Sequence, residues 1–201
     1  MEEILKHEVY TKVPVEECRR ETGGEPIATK WVDVNKGDSV NLEYRSRLVA
    51  KEIKMDKRLD LFAATPPLEA KKILFAMAVT YGVGCEWRGK KSGMKLDFLD
   101  IRRAFLHALA LRKVYVKLPG EDWEEGMCGR LNKATYGTRD AAQNWEAAYA
   151  EFMESIGFRR GAASSCVFYH EGRELRVVVD GDDFIILGWG KELDWFKGKV
   201  E

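Results

Sequence analysis

Three carboxylates crowd one short segment near the carboxyl end of the chain, where Asp180-Gly181-Asp182-Asp183 separates two apolar runs, 177–179 and 184–187. An Asp-Gly turn between apolar runs is typical of an ordinary β-hairpin and requires no function. Three acidic side chains this close repel one another unless a cation or solvent offsets their charge. The segment therefore leaves two interpretations open, a plain hairpin turn and a metal site.

A second acidic segment favours the metal interpretation. Asp97 and Asp100 lie in the mostly apolar stretch 95–101, and Asp100 stands where a predicted strand turns into a helix. A strand-end aspartate beside an acidic hairpin turn is the arrangement that a two-metal phosphoryl-transfer site needs. Carboxylate oxygens suit Mg²⁺, and two such ions about 3.5–4 Å apart can activate a 3′-hydroxyl and stabilise a leaving pyrophosphate.

The strands that must position these aspartates follow from hydrophobic patterning and turn residues. Two extended segments around a polar turn, 30–34 and 44–50, predict a hairpin. Further strands are predicted at 94–100, 113–118, 166–169, 175–179 and 184–187.

Two longer helices are predicted from apolar residues at helical spacing. One spans 70–81 and ends at Gly82, and the other follows Asp140, a good N-cap, and ends at Gly157. A short helix is predicted at 102–110. This order of elements predicts an α+β fold, with helices packed on a small antiparallel sheet.

Composition excludes some classes of protein without identifying a function. The chain has 201 residues, of which 45% are hydrophobic, so a packed core is expected. The net charge is zero, and the basic runs at 45–58 and 88–95 and the acidic run at 121–125 are typical of solvated surfaces. The four cysteines are isolated, which supports neither a zinc site nor a disulfide framework. The sequence shows no membrane span or signal peptide, and we expect an intracellular protein.

Several motifs become specific when they are taken in order. Leu99-Asp100-Ile101-Arg102-Arg103-Ala104-Phe105-Leu106 resembles the first catalytic motif of copia-type reverse transcriptases, commonly Leu-Asp-Val-Lys-Asn-Ala-Phe-Leu. Asp180-Gly181-Asp182-Asp183 resembles their Tyr-Val-Asp-Asp turn, and 131–145 is similar to Leu-Lys-Lys-Ser-Leu-Tyr-Gly-Leu-Lys-Gln-Ala-Pro-Arg-Ala-Trp. Shorter matches, also in order, are Lys30-Trp31-Val32, 44–51, Val114-Tyr115-Val116 and Ser155-Ile156-Gly157-Phe158. The resemblance, to the Pol polyproteins of long-terminal-repeat retrotransposons, covers roughly residues 8–188.

The resemblance implies an RNA-directed DNA polymerase with two metal ions. Asp100, Asp182 and Asp183 would form the catalytic, metal-binding triad, and the backbone carbonyl of Ile101 would be a further ligand. The ions would be Mg²⁺, with Mn²⁺ as the alternative. The substrates implied are a dNTP and an RNA or DNA template with its primer, whose 3′-end receives the nucleotide.

The resemblance also implies a nucleotide-binding set. Phe105 would be the steric gate against a 2′-hydroxyl, although its spacing alone is equally typical of a core aromatic. Arg45 and Arg47 would lie near the triphosphate or the template, although a solvent-facing strand explains them too. The full set is Arg45, Arg47, Arg103, Ala104, Phe105, Tyr136, Gly137 and Arg139, with the amides of Arg103 and Ala104 facing the triphosphate.

In architecture, the resemblance implies the fingers and palm of a right-hand polymerase, with 1–92 mainly fingers and 93–201 mainly palm. The thumb and ribonuclease H parts are expected to lie outside this sequence, as is the integrase of the same polyprotein. The expected location is the cytoplasm, inside a virus-like particle, or the nucleus, without membrane association.

Departures from the family pattern keep an alternative open. Asp180 stands where the family usually has an aromatic residue, and Asp140 stands where it has glutamine. The alternative is a decayed or domesticated fragment that keeps the fold and binds nucleic acid without polymerising. A calcium-binding loop at 33–38 is disfavoured, because its glycine falls at the fifth position of an EF-hand register.

Overall fold

The computed structural model describes residues 1–53, 61–85 and 93–200, which form helices and antiparallel sheets. The helices are α1 (Glu2–Lys6), α2 (Val15–Thr22), α3 (Leu68–Val79), α4 (Ala104–His107), α5 (Ala141–Ser155) and α6 (Gly190–Val200). The strands are β1 (Tyr10–Pro14), β2 (Thr29–Asn35), β3 (Tyr44–Ala50), β4 (Lys95–Asp100), β5 (Tyr115–Val116), β6 (Met127–Leu131), β7 (Arg159–Arg160), β8 (Val167–His170), β9 (Leu175–Asp180) and β10 (Asp183–Gly188). The predicted α+β class is confirmed.

The chain divides into two compact units, each built from two stretches of sequence. The first unit comprises Met1–Phe62 and Ala104–Ala148, and the second comprises Ala63–Arg103 and Tyr149–Glu201. These units are defined by contacts within the fold, whereas the predicted fingers and palm are defined by function. The predicted division of fingers from palm at residue 92 stays a prediction.

In the first unit, β1, β6 and β5 form a three-stranded sheet, and β2 and β3 form the predicted hairpin. One face of the hairpin carries Trp31 and Leu48, which pack into the core of the unit. Arg45 and Arg47 pair with Val34 and Val32, so they project from the opposite face. The hairpin thus separates its apolar side from its cationic side.

In the second unit, five antiparallel strands are ordered β4-β10-β9-β8-β7. Leu74 of α3 packs on one face of this sheet with Ile185 of β10. On the other face, the ring of Phe184 lies 5.9 Å from that of Tyr149 in α5 and 6.4 Å from that of Phe196 in α6. Helices therefore cover both faces, which confirms helices packed on a small antiparallel sheet.

Helix α3 is apolar around most of its circumference. Leu74 is buried against the sheet, whereas Ile73, Phe75 and Val79, elsewhere on the helix, are 56%, 41% and 73% exposed. An amphipathic surface helix would carry polar residues there. No helix in the described parts of the chain is both long and apolar enough to cross a membrane.

Two predicted elements are shorter in the structure. The helix predicted at 102–110 is reduced to α4, because Arg103 adopts a left-handed conformation with a φ of 57° and interrupts the chain before it. The strand predicted at 113–118 is reduced to β5, where only Tyr115 and Val116 pair with β6. Asp140 directly precedes α5, as expected of its N-cap, and its carbonyl accepts a 2.9 Å hydrogen bond from the amide of Asn144.

Candidate active site

The acidic turn is positioned by the register of three antiparallel strands. Asp183, the first residue of β10, lies directly opposite Asp100 on β4 and Asp180 on β9. Directly paired residues of antiparallel strands project to the same face, so these three carboxylates share one face of the sheet. Asp97, three residues before Asp100, pairs with Ile186 and projects to the other face.

The remaining aspartate, Asp182, lies in the turn between β9 and β10. Its neighbour Gly181 has a φ of 67°, a conformation that favours glycine. The amide of Ile101 donates a 2.9 Å hydrogen bond to the carbonyl oxygen of Asp182. The end of β4 is therefore fastened to the turn, and Asp100 and Asp183 meet across the strand pair although they are far apart in the sequence.

Burial and like charge both disfavour ionisation at this turn. Burial, and then the neighbouring carboxylates Asp182, Asp100 and Asp180, raise the pKa of Asp183 above its ordinary value. Asp100, Asp182 and Asp183 are nevertheless exposed, so solvent screens part of the repulsion. A proton or a cation is favoured at such a site.

Lys71 of α3 supplies a counter-ion to the fourth carboxylate. Its ammonium group donates a hydrogen bond to Oδ2 of Asp180. The contact follows from the fold, because Asp180 projects to the face on which α3 packs. Asp180 stands where the family has an aromatic residue. Its carboxylate therefore links α3 to the hairpin of β9 and β10.

The residues of the turn fit a divalent metal in donor chemistry. Within 1–53, 61–85 and 93–200, no three Asp, Glu, His or Cys side chains are grouped so that they could hold a metal ion by themselves. Mg²⁺, however, usually keeps several waters and takes only one or two carboxylates, together with substrate phosphates. Asp100, Asp182 and Asp183 meet that requirement, and a closed cage of protein ligands is not needed.

The predicted nucleotide-binding residues of the first unit form a chain of contacts. The guanidinium carbon of Arg47 lies 5.4 Å from the ring centroid of Tyr136, and this ring meets that of Phe105 edge to face at 4.8 Å. All three side chains are half-buried. Nε of Arg47 is shielded from solvent and has no hydrogen-bond partner among the described residues. Arg45 lies on the same face of β3 as Arg47.

Gly137 can only be glycine in this backbone. Its φ is 84°, and a Cβ at this position would overlap the carbonyl oxygen of Ala50. The amide of Ala50 in turn donates a 2.8 Å hydrogen bond to the carbonyl of Tyr136. The Tyr136-Gly137 step therefore packs directly on the end of β3.

The other predicted residues are placed as follows. Arg103 is exposed at the end of its unit, and Ala104 is buried at the start of α4. Arg139 is half-buried, and its amide donates a 2.7 Å hydrogen bond to Oε2 of Glu52. The triad belongs to the second unit and Phe105 to the first, and the gate role of Phe105 stays a prediction. The basic residues Lys54, Lys57, Arg58, Arg88, Lys90 and Lys91 lie outside the described residues.

The loop disfavoured as a calcium site uses its polar side chains internally. Oδ1 of Asp38 accepts hydrogen bonds from the amides of Val40 and Asn41, and Oδ1 of Asn35 accepts from Gly37 and Glu43. These oxygens close the hairpin loop.

Sequence reasoning did not single out three charged residues that form ion pairs beside the acidic turn and in the first unit: Lys71, Glu52 and Arg112. Lys71 pairs with Asp180, and Arg112 pairs with both Glu52 and Asp140. The signal was present, because Asp180 and Asp140 are carboxylates at positions where the family has uncharged residues. Asp140, with a side chain only 6% exposed, needs a counter-ion most. Which cation provides it cannot be read from local sequence.

Comparison with known proteins agrees with the motifs. Residues 8–200 match the family model described as reverse transcriptase (RNA-dependent DNA polymerase). The retrovirus-related Pol polyprotein from transposon TNT 1-94 of Nicotiana tabacum is 25% identical over 96% of this chain and 14% of its own length. Those from transposons RE2 and RE1 of Arabidopsis thaliana are each 27% identical over 81% of this chain and 11% of their own length.

The chain thus spans between 11% and 14% of the length of these relatives. The family match covers nearly the whole chain and includes both acidic segments. The protein therefore belongs to the reverse transcriptase (RNA-dependent DNA polymerase) family, of the kind found in the Pol polyproteins of copia-type retrotransposons.

Proposed function

We propose that this chain forms the fingers and palm of a right-hand RNA-directed DNA polymerase, which joins dNTPs to a primer 3′-end on an RNA or DNA template. The observation that carries the proposal is the strand register, which sets Asp183 opposite Asp100 and fastens Ile101 to Asp182. Two acidic segments far apart in the sequence are thereby brought together at the ends of neighbouring strands, as two-metal chemistry requires.

Asp100, Asp182 and Asp183 would hold two Mg²⁺ or Mn²⁺ ions, with the carbonyl of Ile101 as a further ligand. When bound, such ions lower the pKa of the primer hydroxyl and stabilise the leaving pyrophosphate. Burial and repulsion by the neighbouring carboxylates raise the pKa of Asp183, and both give a physical reason for a cation at this turn. Exposure of the three carboxylates leaves them accessible to a triphosphate.

The first unit would supply contacts to the nucleotide and the template. Phe105 would act as the gate against a 2′-hydroxyl, and the edge-to-face contact with Tyr136 would hold its ring in one orientation. The remaining members of the proposed set are Arg45, Arg47, Arg103, Ala104, Gly137 and Arg139. Arg47 is only half-buried, and its guanidinium group is of the kind that binds phosphate oxygens.

The proposed partners are the template, the primer and the other parts of a Pol polyprotein: a thumb, a ribonuclease H and an integrase. The proposed location is the cytoplasm, within a virus-like particle, or the nucleus. Membrane association is not part of the proposal.

Primer extension on a primed RNA template with Mg²⁺ tests the proposal, in this chain and, if its reading frame encodes a thumb, in a longer chain that includes it. Asp182→Asn should abolish synthesis. Asp97→Asn is the matched control, since Asp97 lies on β4 but on the other face, and an asparagine Oδ1 still accepts the hydrogen bond from Phe98. Synthesis that survives Asp182→Asn would exclude the acidic turn as the catalytic centre. Template binding without synthesis by the wild type would support the decayed or domesticated alternative.

A further inference from the structure

Three shielded charges of the first unit form one hydrogen-bonded network. Nη1 and Nη2 of Arg112 donate to the two carboxylate oxygens of Glu52 at 3.1 and 3.0 Å, and Nη2 also donates to Oδ1 of Asp140 at 2.8 Å. The side chains of Arg112, Glu52 and Asp140 are 27%, 13% and 6% exposed. One cation thus bridges two carboxylates in a setting where an unpaired charge would be costly.

The network is fastened to the backbone around the predicted nucleotide pocket. Oε2 of Glu52 accepts a 2.7 Å hydrogen bond from the amide of Arg139. Two residues earlier in the same segment, the amide of Ala50 donates to the carbonyl of Tyr136 at 2.8 Å. Two hydrogen bonds, Ala50 to Tyr136 and Arg139 to Glu52, therefore hold segments 50–52 and 136–139 together. Arg112 orients the carboxylate that accepts the second of these bonds.

Arg112 and Asp140 are both held in their charged forms. Hydrogen bonds to Asp140, and then to Glu52, raise the pKa of Arg112. Burial alone would raise the pKa of Asp140, but the hydrogen bonds and charge of Arg112 outweigh it and hold that pKa below its ordinary value. The ion pair of Arg112 with Asp140 is therefore present throughout the neutral range.

We propose that Arg112, with Glu52 and Asp140, is a positioning device for nucleotide binding: it sets the 136–139 segment, and with it the contacts of Tyr136. These contacts are the stacking of Arg47 on Tyr136 and the edge-to-face contact with Phe105. None of the three network residues is assigned to the reacting atoms. The inference rests on the proposed function, because it names residues that prepare the same pocket. Asp140, which departs from the family's glutamine, thereby acquires a role specific to this chain.

Two measurements on Arg112→Gln test the inference. Amide hydrogen exchange at Arg139 should accelerate by about tenfold or more beyond any acceleration shared by the other amides of the first unit, because its hydrogen-bond acceptor Glu52 loses its partner. In the polymerising protein, KM for the dNTP should rise about tenfold while kcat changes less, because binding geometry rather than chemistry is disturbed. Arg112→Lys should recover part of both effects, since it restores the charge but not the bidentate fork.

Lys113→Gln is the matched control. Lys113 is the next residue and forms an ion pair with Glu21, but its side chain is 69% exposed and it does not reach the 136–139 segment through any described contact. Neither readout should change in this variant. If Arg112→Gln fails to fold, Asp140→Asn decides the question, because asparagine keeps an acceptor oxygen for Arg112.

An unchanged KM together with faster exchange at Arg139 would overturn the inference and leave the network a purely structural feature. Equal acceleration at every amide of the first unit would overturn it as well, because the effect would then be global. Failure of the proposed function looks different: the wild type itself shows neither synthesis nor dNTP binding.

Discussion

The two charged regions of this protein follow opposite rules. At the acidic turn, Asp183 faces Asp100 across the strand pair, and like charges meet on an exposed sheet edge. In the first unit, Arg112 is enclosed by Glu52 and Asp140, and opposite charges meet away from solvent. Matched, shielded charges hold segments together, whereas crowded, exposed like charges favour a ligand of opposite sign.

The two pKa shifts express this difference. Burial, and then the neighbouring carboxylates, raise the pKa of Asp183, so the folded protein resists its ionisation. Arg112 lowers the pKa of Asp140, so the folded protein favours its ionisation. The ionised acidic turn thus lowers the stability of the metal-free protein, and a bound cation would relieve this. The network of Arg112, Glu52 and Asp140 instead adds to stability.

The largest expected effect separates activity from stability at the turn. Asp183→Asn should reduce primer extension by about a thousandfold or more, because a charged donor to the metal site is lost. Its free energy of unfolding should be unchanged or slightly higher, since one repulsive charge is removed. Primer extension and urea denaturation of the same preparation measure both quantities. A clear loss of stability would contradict the view of the turn as a site under electrostatic repulsion.

Glycine replacement compares the backbones of the two regions. Gly137→Ala should lower the free energy of unfolding by about 2–4 kcal/mol, because it combines a positive φ with overlap on Ala50. Gly181→Ala should cost only about 1–2 kcal/mol, since its φ is also positive but no atom lies within 4 Å of the added Cβ. Denaturation curves of both variants check this ranking, and equal losses would refute the close packing of Gly137.

Removing the central cation tests the matched charges. Arg112→Gln should lower the free energy of unfolding by about 2–3 kcal/mol, because two shielded carboxylates lose their partner. Lys113→Gln, which removes an exposed ion pair, should change it by less than about 0.5 kcal/mol. Urea denaturation gives both values. Similar losses in the two variants would show that the shielded Arg112 network contributes no more to the free energy of unfolding than an exposed ion pair does.

The smallest expected effect is a pH dependence of opposite sign in the two regions. The raised pKa of Asp183 gives stability that is full below the ordinary aspartate pKa and is lost as pH rises through the raised value. The lowered pKa of Asp140 gives stability that is full above the ordinary pKa and is lost as pH falls through the lowered value. Stability measured against pH for Asp183→Asn and Asp140→Asn should therefore deviate from wild type on opposite sides. Deviations on the same side would contradict the assigned causes.

Local sequence patterns predicted most of what positions the acidic turn. The apolar runs on either side of 180–183 gave β9 and β10, and a strand ending at Asp100 gave β4. These features depend on residues close in sequence. The motifs led to the expectation that Asp100 lies beside the acidic turn, and the strand register agrees with it by pairing Asp100 directly with Asp183.

The first unit was less predictable because its contacts join distant segments. The sheet of β1, β6 and β5 pairs Tyr10 with Leu131, and neither strand was predicted. Arg112 meets Glu52 and Asp140 only after the chain has folded. The left-handed conformation of Arg103, which shortened a predicted helix, also has no signal in residue type, since arginine rarely adopts it.

The exposed apolar residues of α3 have a practical consequence for handling this protein. Ile73, Phe75 and Val79 present apolar side chains to solvent on one helix, and the whole chain has no net charge at neutral pH. Apolar patches promote colloidal association, and a molecule without net charge has little long-range repulsion to oppose it. Concentrated solutions of the chain should therefore be least soluble near pH 7 and clearer at more acidic or more alkaline pH.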